Sequence, residues 1–161
     1  LLKAARARTD YLIDTSYLSP AQLRERLVGL FLGSEKSGMQ VQCMSFGFKY
    51  GYPAEADLVL DVRCLPNPFY VDELKHKTGL DQDVRDYVLD KDVTKGFQTR
   101  LYSLIDYLLP LYSEEGKSQL VVAIGCTGGK HRSVALAEEL ARHVADQGIK
   151  VAVNHRDIGK L

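Results

Sequence analysis

The stretch LVVAIGCTGGKHRSVALAEELARHVA, residues 120–145, contains three consecutive patterns that decide the fold. Residues 120–124 are all apolar, which is typical of a strand buried on both faces of a parallel sheet. Residues 125–133 are rich in glycine and basic side chains, which predicts a loop. The apolar residues that follow share broadly one face of a helix: Val134, Leu136, Leu140 and Val144.

The loop GCTGGKHRS has the chemistry of an anion-binding site. Its glycines allow backbone N–H groups to approach a ligand and to turn inward. Ser133 is predicted to be the N-cap, which would direct the positive end of the helix dipole toward the loop. The alternative is a tight turn whose charges are only solvated. We favour a phosphate or anion site formed by Cys126, Thr127, Gly128, Gly129, Lys130, His131, Arg132 and Ser133.

The composition suits one globular domain with a remnant of another. The chain has 161 residues, of which 45% are hydrophobic and 26% charged, and its net charge is zero. Cys43, Cys64 and Cys126 are not clustered, which argues against a disulfide framework and a zinc site and favours a reducing, cytoplasmic compartment. No apolar run reaches the length of a membrane span and no secretory signal is visible, so no membrane partner is expected.

The order of patterns along the chain predicts an α/β fold. We expect a mainly parallel sheet flanked by helices on both faces, with the ligand loop at the C-terminal ends of the strands. Pro110 should kink or end the helix that contains it. The further predicted strands are 11–14, 39–46, 58–62 and 150–154. The further predicted helices run from the Ser19-Pro20 pair to about residue 32, over 80–89 and over 94–112.

Other basic residues follow the predicted strands. Because the C-terminal ends of parallel strands meet at one edge of the sheet, we expect these residues to converge with the loop on one cationic pocket. The alternative is structural: Arg63 would pair with Asp61 or Asp57, and His155 would cap the end of the sheet. The added ligand-binding candidates are Lys49, Arg63, Asn67, His155 and Arg156.

Several strings resemble the RapZ/YvcJ family of bacterial nucleotide-binding proteins, also called RNase adapter proteins. The order and approximate spacing of the strings match the family, and the resemblance covers the chain from about residue 10 onward. The strings are GCTGGKHRSV at 125–134, SFGFKYGYP at 45–53, DLVLDVRCLPNP at 57–68, TGLD at 78–81 and HRDI at 155–158.

The resemblance implies a division of the chain into parts. Residues 1–33 would be the tail end of a P-loop kinase-like N-terminal domain, residues 34–38 a linker, and residues 39–161 the C-terminal metabolite-binding domain. The chain begins at Leu1 within helix-like sequence, so we expect a fragment of a longer protein. The family's ATP and GTP would bind in the missing half, since no G-x-x-x-x-G-K-[ST] loop occurs here. We expect no cofactor in the fragment and a homo-oligomer.

The resemblance also implies a ligand and a role. The C-terminal half is associated with glucosamine-6-phosphate in enterobacterial members and with UDP-N-acetylglucosamine in Gram-positive members, and with regulation of amino-sugar and cell-wall precursor metabolism. Phe69, followed by Tyr70, stands where enterobacterial relatives often carry His, which favours the Gram-positive type. Enterobacterial members also bind small RNAs through a basic C-terminal tail, and here we expect RNA binding to be weak.

Two other classes of function stay open at this point. Cys126 and Arg132 have the spacing of cysteine-dependent phosphatases, in which a thiolate attacks phosphorus while the arginine and the loop amides hold the oxygens. A small-RNA-binding adapter would instead use basic side chains for phosphates and aromatic side chains for stacking.

Overall fold

A computed structural model describes residues 38–160 without interruption. Before them it describes seven positions, which are Ile13, Thr15, Ser19, Pro20, Leu23, Arg24 and Leu27. The chain divides into two compact units, Leu1–Ser37 and Gly38–Leu161. The predictions for residues 1–33 and for the linker at 34–38 therefore fall mostly outside the described residues.

Four parallel strands form the sheet. The strands are β1 (Gln40–Gly47), β2 (Leu58–Asp61), β3 (Gln119–Cys126) and β4 (Val151–His155), in the spatial order β2-β3-β1-β4. Each pair of neighbours is parallel. The prediction of an α/β fold with a parallel sheet is confirmed. The pairing of Gly47 with Cys126 places the end of β1 beside the start of the glycine-rich loop.

Within residues 38–160, three α-helices and two short 3-10 helices connect the strands. The α-helices are α1 (Gln82–Leu89), α2 (Asp92–Glu114) and α3 (Arg132–Ala145), and the 3-10 helices are Phe48–Tyr50 and Pro68–Tyr70. Helix α2 continues through Pro110 instead of ending there. Leu109 and Tyr112 pack into the core on either side of Pro110, and this packing outweighs the hydrogen bond that proline cannot donate.

The predicted N-cap of α3 is wrong by two residues. Helix α3 begins at Arg132, and His131 occupies the N-cap position without a side-chain capping bond. Ser133 lies inside the first turn, and its hydroxyl oxygen is 3.1 Å from the sulfur of Cys126. The Ser133 hydroxyl therefore contacts the end of β3 and does not cap the helix.

The main core lies between one face of the sheet and the helices. The apolar side chains of this face come from alternate positions of β1 and β3, as expected for strands. They pack against the inner faces of α2 and α3 in one continuous cluster. Its central members are Val41, Cys43, Val122, Ile124, Leu101, Ile105, Leu136 and Leu140.

The other face of the sheet carries a smaller cluster. Met44, Phe46, Val121 and Ala123 pack there against Phe48 and other residues that follow β1. Among residues 38–160, the helical structure on this face is the 3-10 helix Phe48–Tyr50, and the α-helices pack on the opposite face. Right-handed crossovers explain the arrangement. The β2-to-β3 and β3-to-β4 connections run in the same direction across the sheet and place all three helices on one face.

The β1-to-β2 connection runs in the opposite direction and therefore lies on the other face. Its residues form a 3-10 helix and a loop rather than an α-helix. Among the described residues, no helix has both the length and the apolar character needed to cross a bilayer.

Candidate anion-binding site

A cleft of about 450 Å³ opens at the C-terminal edge of the sheet, where β3 passes through the glycine-rich loop into α3. The loop, Lys49 in the first 3-10 helix and Asn67 before the second 3-10 helix all contribute to its wall. Eight of the predicted residues line the cleft: Lys49, Asn67, Cys126, Thr127, Gly128, Lys130, His131 and Arg132.

Two close backbone contacts fix the loop against β1. A Cβ on Gly47 would lie 2.6 Å from the carbonyl carbon of Gly128, and a Cβ on Gly129 would lie 2.6 Å from the backbone nitrogen of Gly47. Gly129 also has a φ of +73°, which favours glycine. The amide of Lys49 donates to the carbonyl oxygen of Thr127 at 3.2 Å. Glycine at these positions is therefore required for the loop to reach its observed place.

Arg132 is 4% exposed and is held from behind by backbone carbonyl groups. Its Nη1 donates to the carbonyl oxygens of Arg63 at 2.7 Å and Leu65 at 3.2 Å, and Nη2 lies 3.5 Å from the hydroxyl of Thr127. Its Nε is buried and has no hydrogen-bond partner within the described residues. No carboxylate in this part of the chain pairs with the guanidinium. A buried cation with a free donor is costly unless an anion completes it.

His131 is the second buried side chain with an unsatisfied atom. It is 8% exposed, and its Nε2 has no hydrogen-bond partner in residues 38–160. Burial, together with the positive charges of Lys130 and Arg132, lowers the pKa of His131 and outweighs the opposite effect of the nearby carbonyl groups of Lys75 and Lys77. The ring is therefore neutral near pH 7 and offers Nε2 for a hydrogen bond to a ligand.

Cys126 collects hydrogen-bond donors from the loop. Burial alone would raise the pKa of its thiol, but the hydroxyl and amide of Ser133, the amide of Gly129 and the charge of Arg132 lower the pKa below its ordinary value. Cys43, which is buried in the core without such donors, has a pKa raised to about 12. The amides of Gly129 and Ser133 thus converge on the thiol of Cys126, a residue that lines the cleft.

The charges around the cleft are mainly positive, although the chain as a whole is neutral. Lys130 and Lys49 line the cleft and form no ion pair with a carboxylate of residues 38–160. Lys75 and Lys160 also line it, and they pair with Asp72 at 2.9 Å and Asp157 at 2.6 Å. Among the described residues, no aspartate or glutamate lines the cleft. Lys49, Lys130 and Arg132 therefore supply unpaired positive charge that a ligand anion can neutralise.

Arg63 does not line the cleft. Its guanidinium forms an ion pair with Asp61 at 2.6 Å and lies over the ring of Phe48 at 4.2 Å. Its carbonyl oxygen nevertheless accepts the 2.7 Å hydrogen bond from Arg132. Arg63 thus contributes to the site through its backbone, and its side chain adopts the structural alternative noted from the sequence.

His155 and Arg156 are also outside the cleft lining. His155 Nδ1 lies 2.8 Å from the hydroxyl of Ser45, and Nε2 lies 3.0 Å from Glu138. Arg156 is engaged by its neighbour Asp157 at 2.7 Å. Gly129 and Ser133 are not among the lining residues of the cleft either.

Among residues 38–160, no group of three His, Cys, Asp or Glu side chains is placed to hold a metal ion.

Four lining residues were not predicted as site residues: Phe69, Tyr70, Lys75 and Lys160. Phe69 and Tyr70 belong to the 3-10 helix that follows β2, where Asn67 accepts the amide of Phe69 at 3.3 Å. The sequence signal was two aromatic residues directly after the Asn-Pro pair. Lys75 and Lys160 had no comparable signal, because neither follows a strand directly.

Asp157 is a further important residue that sequence reasoning missed. Its carboxylate is fully buried and accepts hydrogen bonds from the amide of Gly47 at 2.8 Å and from Arg156. Burial would raise its pKa, but the bonds from Arg156, Gly47 and Lys160 lower the pKa from 3.8 to about 2. Asp157 therefore anchors the end of β1 against which Gly129 packs.

We expect Asp157 to make the fold sensitive to acid. Because its pKa is lower in the folded chain, its stabilisation is fully present above about pH 4 and is lost as the pH falls toward 2. The loss amounts to about 2 kcal/mol of unfolding free energy. The free energy of unfolding, measured with urea, should fall less between pH 5 and pH 2 in Asp157→Asn than in the parent chain. Asp72→Asn, at an 89% exposed side chain, is the control and should leave the decrease unchanged.

Comparison with known proteins gives consistent matches. The family model for the RapZ C-terminal domain matches residues 39–159. A nucleotide-binding protein of Caldicellulosiruptor bescii is 59% identical over 152 residues, covering 94% of this chain and 52% of that protein. A nucleotide-binding protein of Geobacillus kaustophilus is 52% identical over 158 residues, covering 98% and 53%. The chain thus spans about half the length of the curated relatives it matches.

Proposed function

The chain belongs to the family of the RapZ C-terminal domain, and from that premise we propose that it binds a phosphorylated amino-sugar metabolite on residues 125–133. The role would be that of a sensor in the regulation of amino-sugar and cell-wall precursor metabolism. The observation that carries the proposal is the buried guanidinium of Arg132: within residues 38–160, its Nε has no hydrogen-bond partner and no carboxylate lines the cleft.

The proposed binding mode assigns a task to each part of the loop. Arg132 would grip two phosphate oxygens through Nε and Nη2, since Nη1 is already occupied by carbonyl groups. Lys130 would act as a point charge, and the hydroxyl of Thr127 would donate to a remaining oxygen. The N-terminus of α3 adds the favourable end of the helix dipole.

The family resemblance suggests glucosamine-6-phosphate or UDP-N-acetylglucosamine as the metabolite. Either ligand brings the phosphate that the loop requires. For the whole protein, we propose that ATP or GTP binds in the half that precedes this domain and that the assembly is a homo-oligomer. Those proposals depend on the family and not on the contacts of the cleft.

A cysteine-dependent phosphatase is the second candidate, because the pKa of Cys126 is lowered and Cys126 is one of the residues that line the cleft. The thiolate would attack phosphorus while Arg132 holds the oxygens, as in enzymes with this spacing. Such a step also needs an acid to protonate the leaving alkoxide. In the part of the chain that the structure describes, no carboxylic acid lines the cleft to supply that proton, which favours the sensor.

Calorimetric titration of the purified chain tests the proposal. We expect saturable binding of UDP-N-acetylglucosamine, glucosamine-6-phosphate or both, and no binding of unphosphorylated N-acetylglucosamine. A folded sample that gives no heat with either phosphorylated ligand would contradict the proposal. Release of inorganic phosphate from glucosamine-6-phosphate that stops in Cys126→Ser would replace the sensor with the phosphatase.

A further inference from the structure

Helix α2 carries apolar side chains on its outer surface as well as on its inner one. Leu101 and Ile105 of the inner face pack into the core. On the opposite side of the same helix, Leu104 is 46% exposed, Tyr107 69% and Leu111 45%. The outer face of a surface helix is ordinarily polar, and contiguous apolar side chains in contact with water indicate a binding surface.

These side chains belong to a longer surface, which we call the α2 stripe. With 3.6 residues per turn, the positions of the stripe fall within about one third of the helix circumference. Its members are Gly96, Arg100, Ser103, Leu104, Tyr107, Pro110, Leu111 and Glu114. Arg100 and Glu114 are the charged members, and both are exposed. Neither forms an ion pair with a side chain of residues 38–160.

The α2 stripe is complementary to itself about Tyr107. When two antiparallel copies of α2 meet with their Tyr107 residues on a two-fold axis, residues equally far before and after position 107 face each other. Arg100 of each copy then faces Glu114 of the other, and Ser103 leaves room for Leu111. A shift of the partner helix by three residues would instead place Arg100 opposite Leu111 and leave the charges without counter-charges. The charges therefore select one register.

The middle of this pairing is apolar and its ends are charged. Leu104 lies opposite Pro110, and the two Tyr107 side chains meet at the axis. An apolar centre with a polar rim is the usual anatomy of an interface between proteins, and tyrosine is enriched at such centres.

We infer that the α2 stripe is the contact surface for a second copy of this chain, in an antiparallel two-fold pairing centred on Tyr107. The inference assigns a surface to the proposed homo-oligomer. It does not depend on the ligand of the cleft, because the cleft is lined by residues outside α2.

Sedimentation equilibrium of the parent chain and of charge-reversal variants tests the inference. The parent chain should dimerise, and Arg100→Glu or Glu114→Arg alone should raise the dissociation constant of the dimer at least about tenfold, because two attractive contacts become repulsive. The double variant Arg100→Glu, Glu114→Arg should dimerise as the parent chain does, since both pairs return with reversed polarity. Lys95→Glu is the matched control: it makes the same change of charge about 100° round the helix from Gly96 and should leave dimerisation unchanged.

Mixing the two single variants gives a second readout. In a mixed dimer the two introduced charges face each other and the two native charges face each other, so the mixture should dimerise although each variant alone does not. A parent chain that stays monomeric at its highest soluble concentration would overturn the inference. So would single variants that dimerise as the parent chain does, or a double variant no better than the single ones. Each of these results leaves the proposed function standing, because that function is contradicted only by the ligand titration.

Discussion

Replacement of Arg132 by lysine is expected to lower the affinity of the chain for UDP-N-acetylglucosamine by roughly 100-fold. The guanidinium would donate two charge-assisted hydrogen bonds to phosphate, and lysine offers a single ammonium in another position. Loss of about 3 kcal/mol of binding free energy corresponds to this factor. Calorimetric titration of parent and variant measures it directly.

The same substitution should also weaken the fold, because Arg132 supports the segment after β2. Its Nη1 donates to the carbonyl oxygens of Arg63 and Leu65, and a lysine ammonium cannot reach both with the geometry of the fork. Leaving one buried carbonyl group unsatisfied costs about 1–3 kcal/mol. The free energy of unfolding of Arg132→Lys, measured with urea, should be lower than that of the parent chain by this amount. The variant should remain folded at neutral pH.

Arg100→Lys is the control for this substitution. Arg100 is exposed on α2, and its Nη1 donates to the carbonyl oxygen of Gly96 in the same helix at 2.8 Å. Neither affinity nor stability should change. If Arg132→Lys kept the affinity of the parent chain, the guanidinium would not hold the phosphate. The buried guanidinium of Arg132 would then no longer support the proposed function.

The sheet and the loop were predictable from the sequence because their patterns are local. The apolar run at residues 120–124 is typical of a buried strand, and the glycines and basic residues that follow it are typical of a loop. The placement of the helices on one face depends on the strand order β2-β3-β1-β4. That order reflects pairing between segments distant in sequence, which periodicity does not record.

The basic residues after the strands show a different limit. Arg63 and Arg156 pair with Asp61 and Asp157, which lie two residues and one residue away. Each of these two cations pairs with the nearest carboxylate. A basic residue that follows a strand therefore does not always supply an unpaired charge to the site. Those acidic neighbours were visible in the sequence, whereas the partner of His155, Glu138, is brought there by the packing of α3.

The buried donors of the cleft also depend on tertiary structure. The sequence predicted that Arg132 is cationic and close to a helix N-terminus. It did not predict that two carbonyl groups would occupy Nη1 and leave Nε free. This division of the guanidinium between the protein and a ligand arises only when the segment after β2 packs against the start of α3.

Replacement of Gly129 by alanine should cause the largest loss of stability, about 2–4 kcal/mol. Alanine at a φ of +73° costs about 1 kcal/mol. The added Cβ would also lie 2.6 Å from the nitrogen of Gly47 and 2.8 Å from the carbonyl carbon of Phe46. Backbone atoms cannot move aside as a flexible side chain can, and such overpacking costs a further 1–3 kcal/mol, roughly.

Gly148→Ala separates the two contributions. Gly148 has a φ of +77°, and a Cβ there would meet nothing within 4 Å. This variant should therefore lose only the conformational part, about 1 kcal/mol. The difference between the two variants in unfolding free energy, measured with urea, gives the cost of the steric contact between the added Cβ at position 129 and β1. Equal losses would mean that the loop can move away from Gly47 at no cost.

The same pair of variants connects stability to binding. If Gly129→Ala folds, the loop must shift away from β1, and the donors around Cys126 and Arg132 no longer converge on one point. Because phosphate binding depends on this convergence, the affinity for UDP-N-acetylglucosamine should fall more than tenfold, by about the loss of one charge-assisted hydrogen bond. Gly148→Ala, at the far end of α3, should bind as the parent chain does. A Gly129→Ala variant that kept full affinity would show that the anion is held elsewhere than on residues 125–133.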